Sequence, residues 1–240
     1  MIEIEHLVKK YGDHTAVDDI SMKIEQGHIY GLLGKNGAGK STTMNIMTGY
    51  LGATGGSVKI CGHDIFKEAG AAKKNIGYLP EIPPLYTDMT VYEYLCFCAE
   101  LKGLPKQDRE GAVDEVMERT GIADVEERLI RNLSKGYRQR VGLAQAILGY
   151  PPIIILDEPS VGLDPAQMVE MRDLIKELGK EHTILLSSHL LSEVSAVCDY
   201  VFIISEGRLV ASSSVEELTE DGRTLEEIFM ELTGKEVEES

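Results

Sequence analysis

Continuous apolar runs along this chain mark one kind of strand. They are four or five residues long and occur at residues 29–33, 76–79, 153–156 and 183–186. Such runs are typical of strands in a parallel sheet, where both faces are buried and no alternation is needed. The pattern therefore predicts a mainly parallel core sheet.

Alternating positions predict strands of a second kind. Residues 2–8 and 17–24 alternate apolar with polar side chains, as expected for antiparallel strands with one solvated face, and residues 9–14 would connect them. Residues 200–204 and 208–211 predict a hairpin around Glu206 and Gly207. We therefore expect an antiparallel β subdomain beside the core sheet.

Helical periodicity appears between and after these strands. From residue 82 to residue 149 the apolar spacing is mainly helical, which predicts a helical insertion. Asp164 and Pro165 supply the N-cap and first position of an amphipathic helix that Gly179 closes. Thr224 opens a short C-terminal helix through a capping box. Its predicted inward side chains are Leu225, Ile228, Phe229 and Leu232.

A phosphate-binding loop follows the first continuous run. Residues 34–41 fit the pattern G-x-x-x-x-G-K-[ST], and a helix-compatible segment comes next. Glycines let successive amides turn toward one point, and the helix adds its positive dipole end, so a polyphosphate would find many donors. A glycine-rich surface turn is the alternative. The predicted nucleotide contacts are Gly34, Lys35, Asn36, Gly37, Ala38, Gly39, Lys40, Ser41 and Thr42.

Polar residues follow three of the continuous runs. The phosphate loop comes after residue 33, Asp157 and Glu158 after residue 156, and His189 shortly after residue 186. Ligands of open parallel sheets bind at the carboxyl edge of the strands, so these groups should meet there. Carboxylates at the edge of a core need a cation or donor, which indicates a metal and water site, with structural pairing as the alternative. His189 taken alone could be a surface histidine.

Composition limits the function. The 240 residues suit one domain, and 40 acidic against 24 basic residues give a net charge of −16, which disfavours nucleic acid as a partner. Four cysteines without metal spacing favour a reducing compartment. We expect no signal peptide and no membrane span, since no apolar run approaches 18 residues.

Taken in order, these motifs resemble the ATP-binding subunit of ABC transporters over essentially the whole chain. The resemblance implies an α/β P-loop NTPase fold in one domain of residues 1–240. Residues 1–81 and 150–215 would form the nucleotide-binding body, 82–149 the helical insertion, and 216–240 a C-terminal helix and tail. Its cofactors would be ATP and Mg²⁺.

The resemblance also assigns residues outside the phosphate loop. Tyr11, otherwise a packing aromatic, would stack on adenine. Ser134 and Gly136 match the signature motif, in which Ser134 also has the simpler role of helix N-cap. Asp164 matches the dimer-contact loop. In this family two chains sandwich two ATP molecules head to tail.

Catalytic and metal roles follow from the same resemblance. Glu158 would be the general base, His189 the switch histidine near the γ-phosphate, and Lys40 the catalytic lysine. Ser41, Asp157 and Glu81 would contact Mg²⁺, with Glu81 standing where the family usually has glutamine. Lys135 and Tyr137 also depart from the usual Leu-Ser-Gly-Gly-Gln signature.

The implied partner is a separate membrane permease. The Ser-Lys-Gly-Tyr signature with Leu-Pro-Glu is similar to the subgroup that serves ABC-2 type permeases, often exporters. The chain would then be cytoplasmic and peripheral to the inner face of the cell membrane. Two rivals remain open at this point: a non-transport ABC ATPase acting on ribosomes or DNA, and a nucleotide kinase.

Overall fold

The computed structural model describes residues 1–234 of the 240. These residues form ten β-strands. The strands are β1 (Ile2–Tyr11), β2 (His14–Ile24), β3 (Ile29–Leu33), β4 (Gly55–Ile60), β5 (His63–Asp64), β6 (Ile76–Leu79), β7 (Ile153–Asp157), β8 (Thr183–Ser187), β9 (Tyr200–Ser205) and β10 (Arg208–Ser214).

The same residues form nine α-helices. They are α1 (Lys40–Met47), α2 (Ala69–Lys73), α3 (Val91–Leu101), α4 (Lys106–Thr120), α5 (Lys135–Ile147), α6 (Pro165–Gly179), α7 (Leu191–Val197), α8 (Val215–Thr219) and α9 (Leu225–Thr233). Helices α3, α4 and α5 fall within the stretch predicted as an insertion.

The strands form two sheets, as the sequence predicts. A six-stranded sheet has the order β10-β9-β3-β8-β7-β6, in which the five strands from β9 to β6 are parallel and β10 is antiparallel. A four-stranded antiparallel sheet has the order β2-β1-β4-β5. The predicted fold class, a mainly parallel core with an antiparallel sheet and a helical segment, is confirmed.

Alternate residues of the parallel strands enter two separate apolar clusters. In β7, Ile154 and Leu156 pack with residues of α3 to α7, whereas Ile153 and Ile155 pack with the antiparallel sheet and α1. All five residues of β3, β7 and β8 are buried. Burial on both faces explains why these runs are continuous in the sequence.

The first hairpin is longer than its sequence pattern predicts. Strands β1 and β2 extend to Tyr11 and His14 and leave only Gly12 and Asp13 in the turn. The register shifts after Ile4 and again near Lys9, with a left-handed backbone at His6 (φ +51°). Each bulge shifts the alternation of inward and outward side chains by one residue. The outer half of the hairpin therefore does not continue the alternating pattern that predicts a strand.

Other local expectations have mixed outcomes. Ser134, Asp164 and Thr224 are the N-caps of α5, α6 and α9, as predicted. Leu232 is predicted to face inward but is 37% exposed, and the next residue, Thr233, is buried in its place. The predicted tail, residues 235–240, lies outside the described residues.

A partly buried lysine joins two helices of the central segment. Lys102, just after α3, donates from Nζ to the carbonyl oxygens of Gln145 (2.7 Å), Ala146 (3.1 Å) and Leu148 (2.7 Å) at the end of α5. Burial lowers the pKa of Lys102 from 10.5 to about 8. The ammonium satisfies carbonyl groups that a helix end leaves without partners.

Candidate active site

The phosphate loop connects the buried strand β3 to α1. Gly39 is the N-cap of α1 and adopts φ +107°, and a Cβ there would lie 2.5 Å from the carbonyl oxygen of Ala16. No backbone hydrogen bond within residues 1–234 uses the amides of Lys40, Ser41 or Thr42. These amides are the free donors of a helix N-terminus, where an anion is stabilised.

Lys40 lies inside this loop. Its Nζ donates to the carbonyl oxygens of Gly34 (2.6 Å) and Lys35 (3.3 Å), and the residue is only 6% exposed. Burial lowers the pKa of Lys40, while the negative charges of Glu158 and Asp157 raise it. The lysine is thus a buried cation between the loop and two acids.

A cavity of about 450 Å³ opens over the loop. It gathers groups from the antiparallel sheet, the phosphate loop and the ends of the parallel strands. Its lining residues are Tyr11, His14, Ala16, Asn36, Gly37, Gly39, Lys40, Ser41, Thr42, Glu81, Glu158, Val161 and His189. Residues 178 positions apart in sequence, Tyr11 and His189, therefore share one cavity.

The acidic end of β7 is organised by a serine on β8. Ser187 is fully buried and pairs with Asp157 across the two parallel strands. Its Oγ donates to Asp157 Oδ1 (2.6 Å) and accepts from the amide of Glu158 (2.9 Å). Glu158 has a left-handed backbone (φ +49°), a strained conformation for a non-glycine residue that its surroundings must hold.

His189 is in contact with Glu158. The distance from His189 Nδ1 to Glu158 Oε2 is 2.7 Å, and the Glu158 side chain is 12% exposed against 50% for His189. With Nδ1–H donating to the carboxylate, the histidine fixes the direction of a mostly buried acid. This pair has the hydrogen-bonded geometry required of a base and its orienting group.

Three predicted residues lie away from the cavity. Ser134 Oγ accepts from the amide of Tyr137 (3.3 Å), and Asp164 Oδ1 accepts from the amide of Gln167 (2.9 Å). Gly136 packs on the Gln167 side chain, where a Cβ would come within 2.8 Å. The starts of α5 and α6 thus form one surface separate from the phosphate loop of the same chain.

The remaining predicted residues have other positions. The Lys35 ammonium donates to the carbonyl oxygen of Thr233 (2.8 Å) at the end of α9. Gly34 and Ala38 form the inner side of the loop, and a Cβ on Gly34 would lie 2.5 Å from the carbonyl oxygen of Ile204. Asp157 is 4% exposed behind Glu158.

Sequence reasoning missed the roles of Ser187 and His14. Ser187 ends an otherwise apolar buried strand, and a lone hydroxyl in that place was the available signal. His14 reaches the cavity only because the first hairpin is longer than predicted. Within residues 1–234, no three acidic, histidine or cysteine side chains cluster closely enough to hold a metal ion alone.

Fold and loop together define a P-loop nucleotide-binding protein. A family model described as ABC transporter matches residues 17–161, more than half of the sequence. The chain belongs to the ABC transporter family. As an ATP-binding subunit of that family it is an ATPase, which confirms the resemblance and the enzyme class expected from the motifs.

Similar proteins and structures agree with this assignment. The bacitracin transport ATP-binding protein BcrA of Bacillus licheniformis is 40% identical over 225 residues, 93% of this chain and 72% of that protein. The lantibiotic transport ATP-binding protein SrtF of Streptococcus pyogenes is 34% identical, over 95% and 96%. A solved ATP-binding subunit of an ABC transporter has a TM-score of 0.88 at 29% identity, over 97% and 99%.

One structural finding bears on the relation to a membrane. In the described part of the chain, every helix is too short or too polar to cross a bilayer.

Proposed function

We propose that two copies of this chain bind MgATP between them and use its hydrolysis to drive export of a substrate through a separate ABC-2 type permease. The observation that carries the proposal is the single cavity shared by the phosphate loop, Glu158 and His189. Similarity to the bacitracin and lantibiotic transport ATP-binding proteins supports a transport role.

Nucleotide binding rests on the loop amides and two side chains. The free amides of α1 and the Lys40 ammonium would hold the phosphates, since both are donors in a partly buried setting. Tyr11 is 49% exposed at the cavity rim. Lys9 Nζ lies over its ring at 5.1 Å from the centroid, so the other ring face would stack on adenine. This arrangement leaves the phosphates pointing toward the strand-end acids.

Magnesium would be held by few protein groups. The exposed hydroxyl of Ser41 and the carboxylates of Asp157 and Glu81 are oxygen donors, which suit a hard cation that also keeps waters and phosphate oxygens as ligands. When bound, Mg²⁺ would neutralise negative charge on the phosphates. Ser187 orients Asp157 for this role through the 2.6 Å hydrogen bond.

Hydrolysis would use Glu158 and His189. Glu158 accepts a proton from the attacking water, whose oxygen bonds to the γ-phosphorus while the bond to the β–γ bridging oxygen breaks. His189 holds the carboxylate in place and steadies the γ-phosphate. Positioning and charge neutralisation of this kind supply most of the catalysis in phosphoryl transfer.

Dimerisation would employ the surface formed by the starts of α5 and α6. Ser134, Gly136 and Asp164 lie outside the cavity of their own chain, which supports a role toward the nucleotide of a second copy. Of the two departures in the signature, Tyr137 donates its hydroxyl to Asp124 Oδ2 (3.1 Å). The Lys135 side chain lies against Gly162, where a Cβ would come within 2.1 Å of its Nζ.

The permease would contact a groove beside Glu81. A cavity of about 530 Å³ is lined by residues of α1, β6 and the segment after it. Tyr50 and Ile82 on its rim are 84% and 82% exposed, unusual values for large apolar side chains. Exposed apolar groups next to a residue of the nucleotide cavity support a docking surface that responds to nucleotide.

The test is to replace Lys40 by alanine and measure MgATP affinity. Loss of the buried ammonium should raise Kd by about a hundredfold, since charged hydrogen bonds contribute about 1.5 to 3 kcal/mol each. Lys106→Ala, at the start of α4, is the control and should bind as the wild type does. Unchanged affinity in Lys40→Ala would contradict the proposed site. Stimulation of ATPase activity by the co-purified permease would test the transport role.

A further inference from the structure

The C-terminal helix α9 reaches the phosphate loop at Lys35. Leu225 and Ile228 anchor the helix in the protein interior, at 1% and 4% exposure. Its last turn ends at Thr233, whose carbonyl oxygen accepts from Lys35 Nζ at 2.8 Å across 198 residues of sequence. The last turn of α9 holds no basic residue of its own.

This contact is electrostatically matched. A helix C-terminus carries partial negative charge on carbonyls that lack partners, and a lysine ammonium stabilises it. Lys35 supplies that charge from the phosphate loop. Thr233 Oγ1 also donates to the carbonyl oxygen of Phe229 (2.7 Å), which fixes the turn that presents the acceptor.

The main chain of Lys35 belongs to the loop that holds Lys40. Its carbonyl oxygen accepts from Lys40 Nζ (3.3 Å) and from the amide of Ala38 (3.1 Å). A side chain tied to α9 therefore fixes the peptide that directs the Lys40 ammonium. Movement of α9 would be passed to Lys40 through one residue.

Phe229 provides a second contact between α9 and the active site. Its ring borders a cavity of about 240 Å³, shared with the phosphate loop and the turn that carries His189. The other lining residues are Leu33, Gly34, Lys35, Asn36, Ser188, His189 and Leu191. Helix α9 thus contacts the phosphate loop through Lys35 and shares a cavity with the turn that carries His189.

We propose that α9 sets the geometry of the nucleotide site, with Lys35 as a positioning residue that acts through the Thr233 carbonyl and with Phe229 supporting the His189 turn. The inference rests on the proposed function, because it requires that the loop bind phosphate. It gives Lys35 a role through α9, in place of direct contact with the nucleotide. The position of the C-terminal helix then controls MgATP affinity.

The experiment is a double-mutant cycle in the full chain. Calorimetric Kd values for MgATP and MgADP are measured for Lys35→Met, Phe229→Ala and the double variant. Each single change should raise both Kd values about fivefold, and the double variant should be no more than about tenfold weaker than the wild type. When two residues act through the same element, the double variant should raise Kd by less than the product of the two single increases.

Controls separate this role from its alternatives. Lys106→Met and Met230→Ala, the latter on the 61% exposed outer face of α9, should leave affinity unchanged. Lys35→Arg should bind MgATP with the affinity of the wild type, because the guanidinium can still donate to the Thr233 carbonyl. If Phe229→Ala does not fold, Phe229→Leu replaces it in the cycle.

Three outcomes are decisive. Multiplicative effects in the double variant, with a Lys35→Met penalty that shrinks in high salt, would show direct contact of Lys35 with phosphate and overturn the proposal. A lower melting temperature for Phe229→Ala without any change in Kd would show that α9 contributes only to stability. That result would also overturn the proposal. Absence of MgATP binding by the wild type would instead refute the proposed function.

Discussion

Replacing Glu158 by glutamine should stop hydrolysis and leave nucleotide bound. Glutamine keeps the volume of glutamate, and its carbonyl oxygen can still accept from His189 Nδ1, now 2.7 Å from the carboxylate. Neither the strained backbone of Glu158 nor the hydrogen bond from its amide to Ser187 Oγ involves the Glu158 side chain. The variant should therefore fold within about 1 kcal/mol of the wild type.

The size of the effect follows from the position of the carboxylate. Glu158 is a mostly buried acid that lines the cavity and is held against His189. General-base catalysis contributes about 10²- to 10⁴-fold. We expect kcat to fall about a thousandfold, or about 4 kcal/mol. Removing negative charge near Lys40 should leave MgATP affinity the same or tighter.

Three measurements check this prediction. Phosphate release at saturating MgATP gives kcat, and equilibrium dialysis gives Kd, with the exposed Glu216→Gln as control. Size-exclusion chromatography with MgATP should show a persistent dimer. Turnover within threefold of the wild type would remove Glu158 as the base, and loss of binding together with turnover would show that the residue supports the loop.

Two further predictions concern buried polar groups. Ser187→Ala leaves Asp157 Oδ1 and the Glu158 amide without their shared partner, so it should cost about 2 kcal/mol of stability and lower kcat about tenfold. Urea unfolding measures the stability and phosphate release measures kcat, with Ser212→Ala as the control. Wild-type stability and kcat in Ser187→Ala would contradict the bridging role. The folded-state pKa of Lys102, about 8, lies below its ordinary 10.5, so the unfolded chain binds more protons between these values and stability rises with pH. Relative to Lys102→Met, the free energy of unfolding of the wild type should rise by about 3 kcal/mol between pH 7.5 and 10.5. If urea unfolding gave both proteins the same dependence on pH, the prediction would be wrong.

The sequence predicts those parts of the site that are local in the chain. The phosphate loop is contiguous, and the acids after β7 directly follow a continuous buried run. Caps such as Ser134 and Asp164 depend on two or three neighbouring residues. Each of these signals reflects backbone chemistry that acts over one turn or one strand.

Features that depend on register or long-range packing are not predictable in this way. Ser187 meets Asp157 only because β8 pairs with β7 in one register. The Lys35 contact with Thr233 requires that α9 be placed beside the loop by long-range packing. Helices α2 and α8, each five residues long, are too short for a periodic signal. Lys35 illustrates the limit, because its place in the motif predicts that it lies in the phosphate loop but does not predict the direction of its side chain.

The charges of the site support the proposed requirement for a divalent cation. Lys40 is a buried cation that faces Asp157 and Glu158, and these acids raise its pKa against the effect of burial. A polyphosphate entering this cavity would bring several more negative charges close to both acids. Coulomb repulsion in a partly buried site is stronger than in water. The single Lys40 ammonium would not neutralise the combined negative charge of the acids and the polyphosphate. Under the proposed function, the same acids that would repel free nucleotide would be oxygen donors for Mg²⁺ and the base for water, so they would favour MgATP over ATP as the bound form.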